Sequence, residues 1–238
     1  MNRRRFILTA SGLALAGMTP RAFAESKNEL AYPSTSCEAT RQITPGPFVL
    51  PESPQRSDIR EGLPGTPLKL KLKVLDSIWC KPVDGAVIDV WQCDALGRYS
   101  GTENLNFDLS TLRVTGVGLD MRDKTFLRGH QITGTDGVAE FTTLFPGWYV
   151  PRLPHVHIRV THGEIGWTTE STQLFFPAEI ERAVYRTEPY AERGSNLISL
   201  DRDIVLKGNQ KKMDELTIGL EKDGEGLVGT FEIAMTAL

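Results

Sequence analysis

The sequence predicts an all-β chain, a single-domain β-sandwich with extended loops and little helix. Three observations point there. Leu68, Leu70, Leu72 and Val74 alternate with Lys69, Lys71 and Lys73, the period-two pattern of a strand with one dry face and one wet face. Short runs rich in Val, Ile, Thr and aromatic residues recur along the chain, punctuated by 22 glycines and 14 prolines. Only residues 177–185 offer a helical stretch.

Taken in order, the elements begin with a targeting segment. Arg3, Arg4 and Arg5 precede Phe6, an apolar run covers residues 7–18, and Ala22-Phe23-Ala24 closes it. That is a basic n-region, a short h-region and an A-x-A cleavage site. The run is too short to cross a bilayer comfortably, and the paired arginines match a twin-arginine signal, which exports folded proteins. Residues 1–24 are therefore expected to be removed on export to the periplasm or the extracellular space, leaving 25–238 as one domain with no stable membrane association. Residues 31–67, rich in Pro, Gly, Ser and Thr, read as ordered coil over a core. The strand at 68–74 follows, then a turn at 82–85 and a second strand at 86–92. Further strands are expected at 138–143, 155–161 and 172–176. The C-terminus reads as a hairpin, 216–221 and 227–237, around Asp223-Gly224. The basic run 207–212 reads as a solvated loop.

Charge excludes one class of partner. Four of the 27 basic residues and none of the 30 acidic ones lie in residues 1–24, so the mature chain carries 23 basic against 30 acidic residues, a net −7. With no basic block left, nucleic acid is not an expected ligand. Three cysteines, Cys37, Cys80 and Cys93, allow one disulfide and one leftover thiol in an oxidising compartment. Cys80 and Cys93 sit near opposite ends of the expected hairpin, which argues against pairing them; the connectivity stays open.

The segment Phe145-Pro146-Gly147-Trp148-Tyr149-Val150-Pro151-Arg152-Leu153-Pro154-His155-Val156-His157 carries the chemistry. On a strand, His155 and His157 share a face while Val156, Ile158 and Val160 point to the other. Two imidazoles on one face can bind a single transition metal, and Tyr149 lies close enough to fold back onto the same point. A strand whose polar face merely carries two histidines is the plain alternative. A cupin site would need a glutamate a few residues after the second histidine and a third histidine much later. Here Glu164 is seven residues on and only His130 and His162 remain, so that pattern fails.

Four blocks, in order and over nearly the whole mature chain, resemble the intradiol ring-cleavage dioxygenases. The first runs from Cys37 to Glu61, with Thr44-Pro45-Gly46-Pro47-Phe48 and Arg56-Ser57-Asp58-Ile59-Arg60. The second runs from Pro82-Val83-Asp84-Gly85-Ala86 through Val90-Trp91-Gln92-Cys93-Asp94 to Gly97-Arg98-Tyr99-Ser100. The third is Phe126-Leu127-Arg128-Gly129-His130-Gln131 with Thr135-Asp136-Gly137, and the fourth is 146–157 with Thr172-Gln173-Leu174-Phe175. The spacing from Tyr149 to His155 is similar to the secreted single-domain branch of the family.

The resemblance implies one Fe(III) per chain, held by Tyr99, Tyr149, His155 and His157, and insertion of both atoms of O2 into a catechol-type ring to give a muconate-type diacid. Phenolate oxygen is a hard anionic donor suited to a trivalent ion. The resemblance further implies that Tyr149 acts as a base for a substrate proton, that Arg152 stabilises negative charge on the ring, and that Gln173 hydrogen-bonds near that arginine. His130 is read as a structural histidine. The partners implied are a small catechol, O2 and the export machinery; the substituents on the ring and assembly into homo-oligomers stay open. Two other readings compete. Val74-Leu75-Asp76 through Asp89-Val90, with the Thr135-Asp136-Gly137 turn, also resembles transthyretin-like (prealbumin) sandwiches, which implies an exported binding module without catalysis. A zinc-dependent hydrolase using the histidine pair is the other.

Overall fold

In the computed structural model, residues 38–163 and 168–236 are described, with backbone alone at 168–169. They lie within the unit Ala31–Leu238. The export signal at 1–24, Cys37, Glu164 and Ala237 fall outside the described residues. Among the described residues the strands in chain order are β1 (Pro67–Asp76), β2 (Val87–Trp91), β3 (Glu103–Asp108), β4 (Arg113–Asp120), β5 (Arg128–Ile132), β6 (Val138–Leu144), β7 (His155–His162), β8 (Thr168–Phe175), β9 (Gly219–Asp223) and β10 (Gly226–Met235). Among the described residues, helix is confined to α1 (Ala178–Val184), α2 (Gln210–Glu215) and a single 3-10 turn at Tyr190–Glu192.

The strands build two four-stranded sheets and a separate hairpin. One sheet has the order β6-β1-β10-β9, the other β5-β2-β7-β8, and β3 pairs with β4 alone. On β1 the alternation read from sequence is real: Leu68, Leu70, Leu72 and Val74 have no solvent exposure, while Lys71 and Lys73 on the opposite face reach Glu140 and Glu232. The leucines meet Ile88 and Val90 of β2 and Val156, Ile158 and Val160 of β7 in one continuous core. Burying such side chains stabilises by about 1.5–3 kcal/mol each. The fold is thus an all-β sandwich, as the sequence predicts.

Residues 38–66 wrap over the sandwich, as expected of an ordered coil. Ile43 and Ile59 enter the core, and the coil bridges both sheets, Gln55 to His130 on β5 and Asp58 to Thr142 on β6. The C-terminal hairpin also forms, with Gly224 in the left-handed region at its turn. Its second strand, β10, then runs parallel to β1, which local patterning does not reveal.

Three elements depart from the sequence reading. The run 207–212 is not all loop: α2 starts at Gln210, capped by the Asn209 side chain accepting from the Lys212 amide at 2.9 Å. This helix buries no residue, so it has no apolar periodicity to read. β5 escapes because its residues, Arg-Gly-His-Gln-Ile, serve a polar face. The β3–β4 hairpin escapes because β4 is almost wholly exposed and carries Gly116 and Gly118. Cys80 is disulfide-bonded and Cys93 is a free, buried thiol, so the two do not pair with each other.

Candidate metal centre and active-site cavity

The inner face of the β5-β2-β7-β8 sheet feeds the sandwich core; its other face carries the polar chemistry. Register puts Arg128, Trp91, His157 and Gln173 side by side across the four strands. Directly opposed residues on neighbouring strands share a face. His157 stacks on Trp91, with ring centroids 4.9 Å apart and planes 7° off parallel. His155 lies two residues back along β7, so its ring projects to the same side. Its Nδ1 is 2.6 Å from the Leu153 carbonyl. A carbonyl can only accept, so Nδ1 carries the proton and the Nε2 lone pair points inward.

Two loops bring phenols to these imidazoles. Residues 94–99 follow β2, and residues 146–151 precede β7. Asp94 shapes the first by accepting from the Leu96 and Arg98 amides, each at 2.9 Å. Asn104 then grips Tyr99 at both ends, accepting from its amide at 2.8 Å and donating to its carbonyl at 2.9 Å. The loops clamp backbone to backbone. Gly97 has φ +78°, and a Cβ there would stand 2.2 Å from the Trp148 carbonyl oxygen, a contact only glycine avoids.

The result is a chain of four donor atoms. Tyr149 Oη lies 3.4 Å from His155 Nε2, His155 Nε2 lies 3.0 Å from His157 Nε2, and His157 Nε2 lies 3.1 Å from Tyr99 Oη. All four residues are buried, Tyr149 the most exposed at 9%. Among the described residues no group of three or more His, Cys, Asp or Glu converges anywhere. The histidine pair therefore has phenols, not carboxylates or thiols, as its companions.

Burial dominates the titration of every member. It holds His155 and His157 well below the ordinary 6.5, with the Arg152 cation adding to the effect, so both imidazoles are neutral donors. It pushes Tyr99 and Tyr149 above the ordinary phenol value of 10, Arg152 partly opposing this at Tyr149. Without a cation between them the two phenols keep their protons at neutral pH. One testable consequence concerns the metal-free protein. The unfolded chain protonates these histidines near 6.5 and the folded chain does not, so stability is full above that value and falls as pH drops below it. Each histidine contributes a slope of up to about 1.4 kcal/mol per pH unit. Urea denaturation of metal-free protein from pH 7.5 to 5 measures it, and His157→Asn should reduce the slope; a flat profile would show that the imidazoles charge freely in the fold.

Arg152 lies beside the donors, 95% buried, with contacts at all three of its nitrogens. Nε donates to Asp203 Oδ2 at 3.0 Å, Nη2 donates to Gln173 Oε1, and Nη1 sits 3.4 Å from His155 Nε2. Gln173 is anchored in turn by donating to the Thr44 carbonyl at 2.9 Å. Asp203 also accepts from the amides of Leu153, Val205 and Leu206. The cation is therefore aimed and held.

In front of the donors opens a cavity of about 430 Å³, bounded by Tyr99, Tyr149 and Arg152 and walled by Phe48, Phe107 and Val205. The structure thus brings together all six residues singled out from sequence: Tyr99, Tyr149, His155, His157, Arg152 and Gln173. His130 lies elsewhere, with Nδ1 2.7 Å from the Ser53 carbonyl in a separate cavity beside Asp89 and Arg159, and His162 sits half-buried at the end of β7. Sequence reading missed three supporting residues. Arg128, a buried cation inside a strand, donates to the Ser100 and Phe48 carbonyls and so fixes both sides of Tyr99; its place between apolar residues was the available signal. Phe48 stacks on the Tyr99 ring at 4.2 Å. Asp203 lies 51 residues from Arg152, in a loop with no local signature.

Comparison with known proteins follows the same lines. The Dioxygenase_C family model, described as Dioxygenase, matches residues 46–186. No curated protein matches the chain. Among solved structures, an intradiol ring-cleavage dioxygenase from Tetranychus urticae is 29% identical, with a TM-score of 0.70 over 85% of this chain and 96% of that one. The dioxygenase domain of a dioxygenase carbohydrate-binding protein fusion from Streptomyces sp. SirexAA-E is 26% identical, with a TM-score of 0.56 over 84% of this chain and 100% of that one. A hydroxyquinol 1,2-dioxygenase from Pseudomonas putida DLL-E4 shares the fold at 23% identity, with a TM-score of 0.57 over 86% of this chain and 68% of that one.

Proposed function

Because the chain belongs to the intradiol ring-cleavage dioxygenase family, we propose that it is an exported Fe(III) enzyme that opens a catechol ring between its two hydroxyls to a muconate-type diacid. The observation that carries the iron assignment is the four-donor chain of Tyr149, His155, His157 and Tyr99, with neighbouring donor atoms 3.0–3.4 Å apart. Separations of that size fit donors sharing one ion at bonds of about 2 Å. The chemistry of the set fits as well. Burial makes the imidazoles neutral, and two phenolates supply hard negative charge for a trivalent ion.

Ferric iron, which Tyr99, Tyr149, His155 and His157 would hold, would draw electron density from a catechol ring and so make a ring carbon reactive towards dioxygen. The remaining work falls to the chain. Tyr149 borders the cavity, and its phenolate oxygen is placed to accept a proton from one substrate hydroxyl. The Arg152 guanidinium, fixed by Asp203 and Gln173, faces negative charge developing on the ring at no reorganisation cost. Phe48, Phe107 and Val205 exclude water.

Export is part of the same reading. The disulfide at Cys80 suits an oxidising compartment, and a twin-arginine route lets the site load iron before it meets competing periplasmic metals. The test is turnover of catechol by iron-loaded mature protein in 18O2. Incorporation of one 18O atom into each carboxyl of a muconate-type product supports intradiol cleavage, and an aldehyde-bearing product from cleavage outside the diol would overturn it.

A further inference from the structure

The cavity in front of the donors is larger and drier than a bare catechol requires. At about 430 Å³ it falls in the size range of sites for multi-ring or substituted ligands, and a single six-membered ring fills only part of it. Resting on the ring-cleavage reading above, we infer that the substrate ring carries an uncharged apolar substituent, an alkyl or aryl group, and that the β3–β4 hairpin selects it.

Two independent features of the cavity lead there. The first is what its outer wall is made of. Leu105, Phe107 and Val114 of the hairpin all line it. In the hairpin register Leu105 faces Val117 and Phe107 faces Val114, so cross-strand pairs carry the apolar surface outward from the cavity. Leu105, Val114 and Val117 are 52%, 55% and 60% exposed. Exposed apolar surface continuous with a ligand cavity marks a binding groove, and here it begins at three residues that line the cavity itself. Ile204 and Val205, which also line the cavity, are apolar too.

The second is the absence of a free counter-charge. Among the described residues lining the cavity, Arg152 is the only charged side chain, and Asp203 and Gln173 already hold it against His155. Two of the polar side chains there are turned to backbone. Asn104 is spent on the Tyr99 backbone, and Thr44 Oγ1 accepts from the Gly46 amide at 3.2 Å. A carboxylate on the ring would lose its water and find no cation beyond the one already committed to the reacting ring. An alkyl chain in the same place only gains by leaving water.

Anaerobic isothermal titration of iron-loaded enzyme with catechol, 4-methylcatechol, 4-ethylcatechol, 4-butylcatechol and 3,4-dihydroxybenzoate tests this, with kcat/KM measured in air for the same five. Each added methylene should tighten binding about threefold to fourfold while the chain stays on the hairpin. The carboxylated ring should bind at least about tenfold more weakly than 4-methylcatechol. Two substitutions at the exposed rim check the assignment. Leu105→Ala should lower the ratio of 4-butylcatechol to catechol affinity at least about threefold. Val114→Lys should raise the ratio of 3,4-dihydroxybenzoate to catechol affinity about tenfold. If catechol is cleaved but affinity ignores chain length, or 3,4-dihydroxybenzoate binds as tightly as 4-butylcatechol, selection by the hairpin is wrong. If the iron-loaded protein cleaves none of the five, the ring-cleavage reading itself fails, and the hairpin assignment with it.

Discussion

Tyr99→Phe is expected to reduce kcat/KM at least about 1000-fold and to cut the iron retained by the purified protein. Loss of even a group that only orients a metal ligand costs about 10- to 100-fold, and a direct donor counts for more. The substitution is well suited to the question because it removes little else. The Tyr99 ring stacks on Phe48 at 4.2 Å, and its backbone is held by Asn104, contacts that phenylalanine keeps. What disappears is the oxygen 3.1 Å from His157 Nε2. Thermal unfolding of the metal-free variant should therefore stay near wild type, while iron per chain and turnover fall together. Unchanged iron and turnover would reduce Tyr99 to a packing residue and remove the second phenolate from the site.

Arg152→Ala should damage both rate and stability, by separable routes. It removes the cation beside the donors, at an expected cost of about 100- to 1000-fold in kcat, the range seen when a preorganised charge stabiliser is deleted. It also leaves Asp203, which has no solvent exposure, without its ion partner. Breaking a buried pair from one side costs about 3–5 kcal/mol. The lower end applies here, since Asp203 keeps three backbone amide donors from Leu153, Val205 and Leu206. The double variant Arg152→Ala/Asp203→Asn should recover a small part of the stability, because no lone charge remains buried although the new NH2 group faces the Leu153 amide, yet none of the rate. Recovery of rate in the double variant would show that the arginine serves the fold alone. Urea denaturation and steady-state kinetics on the same three proteins decide the matter.

These expectations depend on features of unequal visibility in the sequence. The β1 strand was legible because one face is fully dry and the other carries lysines, so the period-two signal is undiluted. The donors on β7 were legible for the same reason: His155 and His157 alternate with core residues Val156 and Ile158. Tyr99 is different. Nothing local distinguishes it from a packed tyrosine, and only its place within the Gly97-Arg98-Tyr99 block of the family pattern singled it out. The groups that aim the chemistry were hidden further still. Asp203 reaches Arg152 across 51 residues, and Arg128 reaches the Phe48 carbonyl across 80. Such pairs are fixed by how the loops close over the sheet, which local patterning does not encode. The β3–β4 hairpin was unreadable for the opposite reason. Its apolar residues face a cavity and solvent instead of the core, so no dry face betrays the strand.

The most direct test of the central claim is the visible absorption spectrum of the iron-loaded mature protein, recorded anaerobically before and after adding catechol. Ligation through Tyr99 and Tyr149 predicts one iron per chain and a reddish tyrosinate-to-iron charge-transfer band that shifts when catechol binds. A colourless protein that nonetheless carries one iron per chain would contradict it, since iron would then be held without either phenolate.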